Sequence, residues 1–369
     1  MIADAGKRYT LVSEETIPSK AKSVKSLSSF AKRSAQLAAG LVCAIALAAG
    51  APTVAGAQVL TTDNVCGKTA DARGITAENL PDIDATNALV MGKDGTVYYA
   101  RDADEQVKIA SITKVMTAIL TVENCKMDEK VTVSNAAVTV GNSTAGLLEG
   151  DKLTVEQALR GLMIPSGNDA AIVLAEYVGK KIDPKTKDAE ATFVKAMNER
   201  AKKLGCTGTL FENPHGLDFD EWAGDMHSTA HDVALMMQEA MKNDTIREVV
   251  ASEDSWIEAT GADGTDHSHS MDTHNYLLGQ DDNIGGKTGT ADQIDGSVTV
   301  SFTCCAPADD PQIMMLLTLS NASDKTGTYR SGGNMAAPVA SSIMAEILPY
   351  LGIEPTYSAD ELVGADHTV

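Results

Sequence analysis

Strand-like segments in two distant parts of the chain, separated by a long helical stretch, constrain the fold most. The run "NALVMGKDGTVYYARDAD" has two β-rich segments around Lys93-Asp94-Gly95, and an Asp-Gly pair between such segments predicts a β-hairpin. Three more strand-like runs come late in the chain, "NIGGKTGTA", "GSVTVSFTCCA" and "QIMMLLTLSN". Strands from both parts can meet in one sheet, so we predict an α+β fold with an antiparallel sheet flanked by helices.

The stretch between these strands has helical periodicity. Apolar residues recur at spacings of three and four in "TVEQALRGLMI", "DAAIVLAEYVGKKI", "TFVKAMNERAKKLG" and "STAHDVALMMQEAMKN". In the last segment Thr229 and Asp232 stand three apart and can form a capping box. A final helix is predicted over "AAPVASSIMAEILPYLG", with Pro338 near its first turn. The pattern predicts a helical subdomain inserted into the sheet domain.

The N-terminal segment has the pattern of a secretory signal. Basic residues precede an apolar run from Leu37 to Gly50, and Ala55 and Ala57 then form a small-x-small cleavage pattern. We therefore predict a signal peptide over residues 1–57 and an exported, extracytoplasmic protein, with an uncleaved membrane anchor as the alternative. Residues 58–83 lack periodicity and are predicted to be a linker. The main domain is predicted over 84–355, followed by a polar tail over 356–369.

Composition excludes one class of partner and leaves the thiol chemistry open. The 369 residues include 30 Lys and Arg against 51 Asp and Glu, which gives a net charge of −21. A nucleic-acid surface needs clustered basic residues, so no nucleic-acid partner is expected. After cleavage an odd number of cysteines would remain, so at least one is unpaired or joined to another molecule, and the disulfide pairing stays open. These are Cys66, Cys125, Cys206, Cys304 and Cys305.

Ser111 and Lys114 form an S-x-x-K motif at the start of a helical run. Residues three apart lie on one helix face, so the lysine amine can reach the serine hydroxyl. Serine needs a base to act as a nucleophile, and a lysine can serve if its surroundings keep it neutral. The motif is short enough to occur by chance, and a helix-capping serine beside an unrelated lysine explains it equally well.

Two further motifs of polar residues follow along the chain. Ser166 and Asn168 flank Gly167 between two helical segments, where a hydroxyl can pass on a proton and an amide can hold a lysine or a carbonyl. Lys287, Thr288, Gly289 and Thr290 lie on a predicted strand, where the lysine and hydroxyls can bind a terminal carboxylate. The backbone N–H groups of Ser111 and Thr290 can form an oxyanion hole. Each motif alone also suits an ordinary loop or strand.

With the three motifs in this order, the chain resembles the low-molecular-mass penicillin-binding proteins of the D-alanyl-D-alanine carboxypeptidase type. The resemblance includes "IASITKVMTAILTVEN", "STAGLLEGDKLTVEQALRGLMIPSGNDAAIVLAE" and "FENPHGLD". It implies a β-lactamase/transpeptidase-like fold with an inserted all-helical subdomain and an acyl-enzyme reaction on peptidoglycan stem peptides ending in D-Ala-D-Ala, inhibited by β-lactams. Its implied nucleophile is Ser111 and its implied base Lys114, with Ser166 and Asn168 assisting. Lys287, Thr288 and Thr290 would face the substrate carboxylate.

Three alternatives stay open on the same fold. "GKTGTA" resembles the transpeptidase domains of larger penicillin-binding proteins, so a DD-transpeptidase or endopeptidase is one. A β-lactamase is another, although no E-x-x-L-N segment follows Asn168. The third is a sensor that binds penicillin without turnover. We expect no cofactor and no metal site: no H-E-x-x-H motif is present, and His267, His269 and His274 are predicted to lie in an exposed loop, while His215 is predicted to be structural.

Overall fold

The computed structural model describes residues 63–353, except for 77–79, 81–82, 84, 253–254, 276, 279–283, 293–295 and 324–326. The signal peptide predicted over 1–57 and the tail predicted over 356–369 lie outside the described residues. No helix in the described part of the chain combines the length and apolarity that crossing a bilayer requires.

Eleven strands form two antiparallel sheets in the described residues. Seven of them make the larger sheet, in the order β2-β1-β4-β3-β11-β10-β9, and four make a smaller one, in the order β5-β6-β7-β8. The strands are β1 Asn64–Val65, β2 Lys68–Thr69, β3 Asn87–Gly92, β4 Val97–Arg101, β5 Lys130–Thr132, β6 Lys152–Thr154, β7 Ser255–Thr260, β8 Asp266–Met271, β9 Gly285–Asp292, β10 Val298–Ala306 and β11 Ile313–Leu319.

Helices cover both faces of the larger sheet and build most of the segment inserted between β4 and β9. The helices are α1 Ala70–Arg73, α2 Lys114–Asn124, α3 Asn135–Thr139, α4 Val155–Met163, α5 Asn168–Ile182, α6 Ala189–Leu204, α7 Ala230–Ala240, α8 Asp244–Val250 and α9 Ala337–Tyr350. Short 3₁₀ turns occupy Ala110–Thr113 and Asp220–Trp222, and a π-helical turn at Gly332–Ala336 leads into α9.

The central strands of the larger sheet are buried on both faces. In β3, Leu89 and Met91 face the core shared with the helical insert, whereas Ala88 and Val90 face a second core beneath α9. This alternation follows from the period of two along a strand, and apolar residues on both faces require a layer of helices on each side. The structure confirms the predicted α+β class, the β3-β4 hairpin and the strands from both parts of the chain in one sheet.

The insert contains the smaller sheet as well as helices, which sequence periodicity does not predict. Its strands β5 and β6 are three residues each, too short to show alternation. Strand β8 covers Asp266–Met271 and pairs with β7 along its whole length, so the prediction that His267 and His269 lie in an exposed loop is wrong. Polar residues dominate β8 because one of its faces is exposed, which hides the strand pattern.

The predicted linker is also wrong within its described part. Strand β1 pairs with both β2 and β4, so residues from Asn64 onward extend the larger sheet. The buried carboxylate of Asp63 fixes this segment: it accepts hydrogen bonds from Tyr99 Oη at 2.5 Å and from the Arg101 guanidinium, at 2.9 Å from Nη2. Two-residue strands carry no periodic signal, and partners far along the chain hold them in place.

The helix caps agree with the sequence prediction in part, and the described cysteines form no disulfide. Thr154 forms a full capping box with Gln157 at the start of α4. Thr229 caps α7 through the Asp232 N–H, but the Asp232 carboxylate binds Gly208 N and Thr209 Oγ1 instead of closing the predicted box. The five described cysteines are free thiols, and three of them are buried.

Candidate active site

Ser111 and Lys114 meet where a 3₁₀ turn becomes helix α2. Ser111 lies in the turn and is partly exposed, whereas Lys114 begins the helix and is completely buried. The Lys114 Nζ atom lies 2.8 Å from Ser111 Oγ, 2.7 Å from Asn168 Oδ1 and 2.7 Å from the carbonyl oxygen of His215. The S-x-x-K spacing thus forms the contact that helix geometry allows, with two further partners from distant segments.

The surroundings of Lys114 favour its neutral form. Burial, reinforced by the charge of Lys287, holds the pKa of Lys114 well below its usual 10.5, although Asp169 acts in the opposite direction. A neutral amine has two N–H donors and one lone pair. The oxygens of Asn168 and His215 can only accept hydrogen bonds, so they take the two N–H groups and leave the lone pair for the Ser111 hydroxyl. The site is therefore arranged for Lys114 to accept the proton of Ser111.

The backbone around Ser111 depends on two close approaches at glycines. Gly216 has φ +96°, and a Cβ there would lie 2.0 Å from the carbonyl oxygen of Ala110. On the opposite side, a Cβ on Gly289 would lie 2.7 Å from the carbonyl oxygen of Ile109. Ala110 itself has φ +43°, a left-handed conformation that L residues rarely adopt. Ser111 is thus held between the His215-Gly216 turn and strand β9.

The S-x-N loop connects α4 to α5 and presents its two polar side chains to different partners. Ser166 is buried in a left-handed conformation with φ +62°, and Asn168 is the first residue of α5. While Asn168 Oδ1 accepts from Lys114, its Nδ2 donates to the carbonyl oxygen of Gly141 at 3.0 Å. This second bond fixes the amide orientation so that its oxygen faces the lysine.

Asp169 holds the loop that surrounds Asn168. Its carboxylate accepts hydrogen bonds from Thr144 Oγ1 at 2.5 Å, Ala145 N at 2.9 Å and Leu147 N at 3.1 Å. A buried carboxylate needs several donors to offset its lost hydration, and this loop provides them. Asp169 therefore fixes the loop that contacts the S-x-N motif without itself facing Ser111.

Strand β9 places Lys287 against the same loop. It is the edge strand of the larger sheet, and Lys287 Nζ lies 2.7 Å from Ser166 Oγ. Burial lowers the pKa of Lys287 to about 7, so close to neutral pH this amine is divided between its charged and neutral forms. Along β9, Thr288 and Gly289 are buried, while Thr290 is exposed and accepts a hydrogen bond from Gly332 N at 3.3 Å.

The structure brings the sequence-predicted residues into two neighbouring groups. One joins Ser111, Lys114 and Asn168, and the other joins Ser166 and Lys287. The groups are adjacent because Ser166 and Asn168 belong to the same loop. Sequence reasoning missed the backbone carbonyl of His215 as a partner of Lys114 and missed Asp169 as the anchor of the loop, since neither role has a motif of its own.

The His215 side chain has a structural environment. The ring is fully buried, packs edge-on against Trp222 and accepts a hydrogen bond from Leu217 N through Nδ1. Burial and the nearby Lys114 lower the pKa of His215 to about 3. The imidazole is therefore neutral at physiological pH, and the contribution of His215 to the site is its carbonyl oxygen.

Comparison with known proteins gives relatives with matching sequence and fold. The chain is 34% identical over 180 residues to the D-alanyl-D-alanine carboxypeptidase DacF of Bacillus subtilis, a match that spans 47% of this chain and only 43% of that protein. It is 36% identical over 204 residues to the D-alanyl-D-alanine carboxypeptidase of a Streptomyces strain, covering 53% of this chain and 68% of the relative. The crystal structure of the Streptomyces K15 DD-transpeptidase superposes with a TM-score of 0.57 at 28% identity, over 73% of this chain and 97% of that one.

The family assignment rests on more than half of the chain. The sequence model of the peptidase S11 family, described as D-alanyl-D-alanine carboxypeptidase, matches residues 74–304. That range includes all three motifs and both groups of polar side chains described above. The chain therefore belongs to the peptidase S11 family of D-alanyl-D-alanine carboxypeptidases.

Proposed function

We propose that the protein is a serine DD-carboxypeptidase that removes the terminal D-Ala from peptidoglycan stem peptides through an acyl-enzyme. The observation that carries this proposal is the buried Lys114 amine, whose two N–H groups face carbonyl oxygens and whose remaining contact is Ser111 Oγ at 2.8 Å. A serine with such a base can act as a nucleophile at neutral pH. Membership of the S11 family supports a substrate ending in D-Ala-D-Ala.

In the proposed acylation, Ser111 Oγ attacks the carbonyl carbon of the penultimate D-Ala and its proton moves to Lys114 Nζ. The N–H groups of Ser111 and Thr290 would stabilise the oxyanion of the tetrahedral intermediate. When the C–N bond breaks, the departing D-Ala nitrogen takes a proton from the Ser166 hydroxyl beside Lys287, and Ser166 is reprotonated by Lys114, which is therefore neutral again in the acyl-enzyme. The products of this half-reaction are free D-Ala and an ester on Ser111.

Binding of the terminal carboxylate is assigned to β9. Lys287 would provide the positive charge, and the hydroxyls of Thr288 and Thr290 would add hydrogen bonds. A bound carboxylate raises the pKa of a nearby lysine, so the substrate itself favours the charged form of Lys287. Water then attacks the ester carbonyl carbon while Lys114 takes one of its protons, and Lys114 gives this proton to Ser111 Oγ when the ester C–O bond breaks. The shortened peptide leaves as a carboxylic acid, and Ser111 and Lys114 return to their starting states.

The test combines labelling and product analysis. Wild-type protein should be labelled by a fluorescent penicillin at Ser111 and should release D-Ala from a stem pentapeptide, whereas Ser111→Ala should do neither. Absence of label on folded wild-type protein would refute the proposal, and D-Ala release by Ser111→Ala at the wild-type rate would point to a different catalytic group. Rapid turnover of nitrocefin by the wild type would instead indicate a β-lactamase.

A DD-transpeptidase is the second candidate, favoured by the superposition on nearly the whole Streptomyces K15 DD-transpeptidase. Both reactions share the acyl-enzyme and differ only in whether water or an amine attacks it. Incubation of the pentapeptide with and without an amine acceptor, followed by mass spectrometry, separates them. A product joined to the acceptor as the main species would indicate transpeptidation.

We also propose that residues 1–57 direct export, since stem peptides lie outside the cytoplasm. An N-terminal sequence starting at Gln58 on protein recovered from the culture medium or cell envelope would support cleavage after Ala57. Full-length protein retained in the membrane would support an uncleaved anchor instead.

A further inference from the structure

Three side chains with metal-binding atoms lie close together beside the loop that Asp169 holds next to Asn168. Asp151 immediately precedes β6, and His267 and His269 lie at alternate positions of β8, so both imidazoles project from the same face of that strand. Nε2 of His269 lies 2.9 Å from Asp151 Oδ2, and Nε2 of His267 lies 3.2 Å from the same carboxylate. All three candidate ligand atoms lie within 4.8 Å of one another.

The charge of Asp151 makes this cluster unusual. Its side chain is only 1% exposed, and in the part of the chain that the structure describes its ion-pair partners are His267 and His269, with no lysine or arginine. One backbone group, Leu148 N, donates to Oδ2 at 3.0 Å. A buried carboxylate is stable when a cation or several donors replace its hydration. Two imidazole nitrogens and a carboxylate oxygen are also the donor set that binds Zn²⁺ and related ions.

The two distances from the Asp151 carboxylate to the imidazoles fit such an ion. Zn²⁺ bonds to nitrogen and oxygen at about 2.0–2.1 Å in a tetrahedral arrangement, which places neighbouring ligand atoms about 3.3 Å apart. The carboxylate-to-imidazole distances of 2.9 and 3.2 Å are close to this value. The His267 side chain is 29% exposed, so solvent reaches this side of the cluster.

We propose that Asp151, His267 and His269 form a three-ligand site for a divalent transition-metal ion such as Zn²⁺. Coordination through Nε2 requires each imidazole to carry its proton on Nδ1, so the ion takes the place of the Nε2 hydrogens that would otherwise face Asp151. This inference does not depend on the reaction proposed at Ser111.

The bound ion would join the β7-β8 hairpin to the segment that holds the S-x-N loop. Asp151 Oδ2 binds Leu148 N, and the neighbouring Leu147 N binds the Asp169 carboxylate. Asp169 is next to Asn168, which contacts Lys114. The ion is therefore assigned a positioning role: it would stabilise the insert and the loop behind the S-x-N motif without contacting substrate.

The experiment measures metal binding directly. Full-length protein freed of metal by chelation is titrated with Zn²⁺ by calorimetry, and the bound metal is counted by elemental analysis after dialysis. We expect one equivalent to bind. Loss of a residue that only hydrogen-bonds to a metal ligand lowers metal affinity roughly 10- to 100-fold. His267→Ala and His269→Ala should each weaken Zn²⁺ binding by more than this. His231→Ala is the matched control, since His231 lies 3.2 Å from a single aspartate, Asp104, without a third ligand.

Two further readouts keep the result clear if a variant folds poorly. Co²⁺ added to the wild type should give the strong visible absorption of a tetrahedral complex, and Zn²⁺ should raise the thermal unfolding midpoint of wild type and His231→Ala but not of His267→Ala. Retention of Zn²⁺ by His267→Ala and His269→Ala at the wild-type level, or a Co²⁺ spectrum identical to that of the hydrated ion, would overturn the proposal. In that case the imidazole N–H groups and Leu148 N satisfy the Asp151 carboxylate.

Discussion

The two buried lysines of the candidate site, Lys114 and Lys287, have different polar partners. Lys114 has three polar contacts, of which two are obligate acceptors. Lys287 is 2% exposed and contacts Ser166 Oγ and the carbonyl oxygen of Thr288. Burial lowers the pKa of both, but the charge of Lys287 lowers that of Lys114 further. The lowered pKa of Lys114 suits a proposed base, and the charged form of Lys287 suits a proposed carboxylate-binding group.

Removal of the proposed base should slow acylation without unfolding the protein. Lys114→Met preserves side-chain length but cannot accept a proton, so the second-order rate of labelling by a fluorescent penicillin should fall by about 10²- to 10⁴-fold. The control is Lys181→Met, which removes a lysine paired with Glu129 on the surface. Circular dichroism checks folding, and a labelling rate in Lys114→Met within a few-fold of wild type would show that another group is the base.

The labelling rate should have a bell-shaped pH dependence, and its decrease on the alkaline side should begin at an unusually low pH. In the proposed reaction the reactive form has Lys114 neutral and Lys287 charged, so the second-order rate should rise as Lys114 loses its proton and fall as Lys287 loses its own, near its pKa of about 7. The rising limb lies far below the ordinary lysine value of 10.5 because burial lowers the pKa of Lys114. Stopped-flow labelling across a pH series measures both limbs.

An arginine at position 287 tests which lysine causes the falling limb. Arginine stays charged throughout the accessible range, so Lys287→Arg should retain the rising limb and lose the falling one. The absolute rate in this variant should be lower, because an arginine does not reproduce the contact of Lys287 with Ser166. A falling limb in Lys287→Arg at the wild-type pH would assign it to another group.

At the scale of elements, the turn that carries Ser111 depends on the turn that carries His215. An alanine at position 216 would place its Cβ 2.0 Å from the carbonyl oxygen of Ala110, so one of the two turns must move. A displacement of about 1 Å near reacting groups can cost 10²-fold in rate. We expect Gly216→Ala to lower the labelling rate by at least about that factor.

Gly205→Ala is the matched control for this prediction. Gly205 has φ +90°, close to the φ +96° of Gly216, but a Cβ there meets nothing within 4 Å. Both variants incur the cost of a left-handed alanine, about 1–2 kcal/mol, and only Gly216→Ala also moves the Ser111 turn. Equal labelling rates in the two variants would show that the close approach of the turns does not matter for acylation.

Sequence reasoning succeeded where a residue type and a fixed spacing determine the contact. S-x-x-K predicts that Lys114 reaches Ser111 because both are on one helical face, and S-x-N predicts that Ser166 and Asn168 share a loop. It failed where the partner is a backbone group or a residue close only in space, as with the His215 carbonyl that receives a Lys114 N–H. It also failed for β8, because a strand with one exposed face and polar residues has no apolar alternation to detect.

At the scale of the molecule, the candidate site lies between the larger sheet and the inserted subdomain. Lys287 comes from the edge strand β9, and Ser166 from the loop between α4 and α5 of the insert. His215 comes from a turn later in the same insert and contacts Lys114 through its carbonyl. The contact between Lys287 and Ser166 thus joins the two parts of the molecule, whereas the contact between Lys114 and His215 joins two segments of the insert.

The stability of the whole protein should fall in acid partly because of His215. Its pKa of about 3 in the folded state is below the ordinary 6.5, so the unfolded chain binds a proton that the native state excludes as pH decreases from 6.5 toward 3. Across that range the free energy of unfolding loses up to about 1.4 kcal/mol per pH unit from this residue. Above pH 6.5 His215 is neutral in both states and contributes no pH dependence.

Comparison with His215→Asn isolates this contribution. Asn does not titrate, and its Oδ1 can replace Nδ1 as the acceptor for Leu217 N, although loss of the ring against Trp222 lowers stability at every pH. Carboxyls whose pKa is raised by partial or full burial, such as those of Glu190 and Asp218, act in the opposite direction because the native state takes up their protons first. They are present in both proteins and cancel in the difference. Urea unfolding at a series of pH values should therefore show the free-energy advantage of the wild type over His215→Asn shrinking as pH falls below 6.5. A constant difference between wild type and His215→Asn across the series would contradict the neutral, buried state assigned to this imidazole.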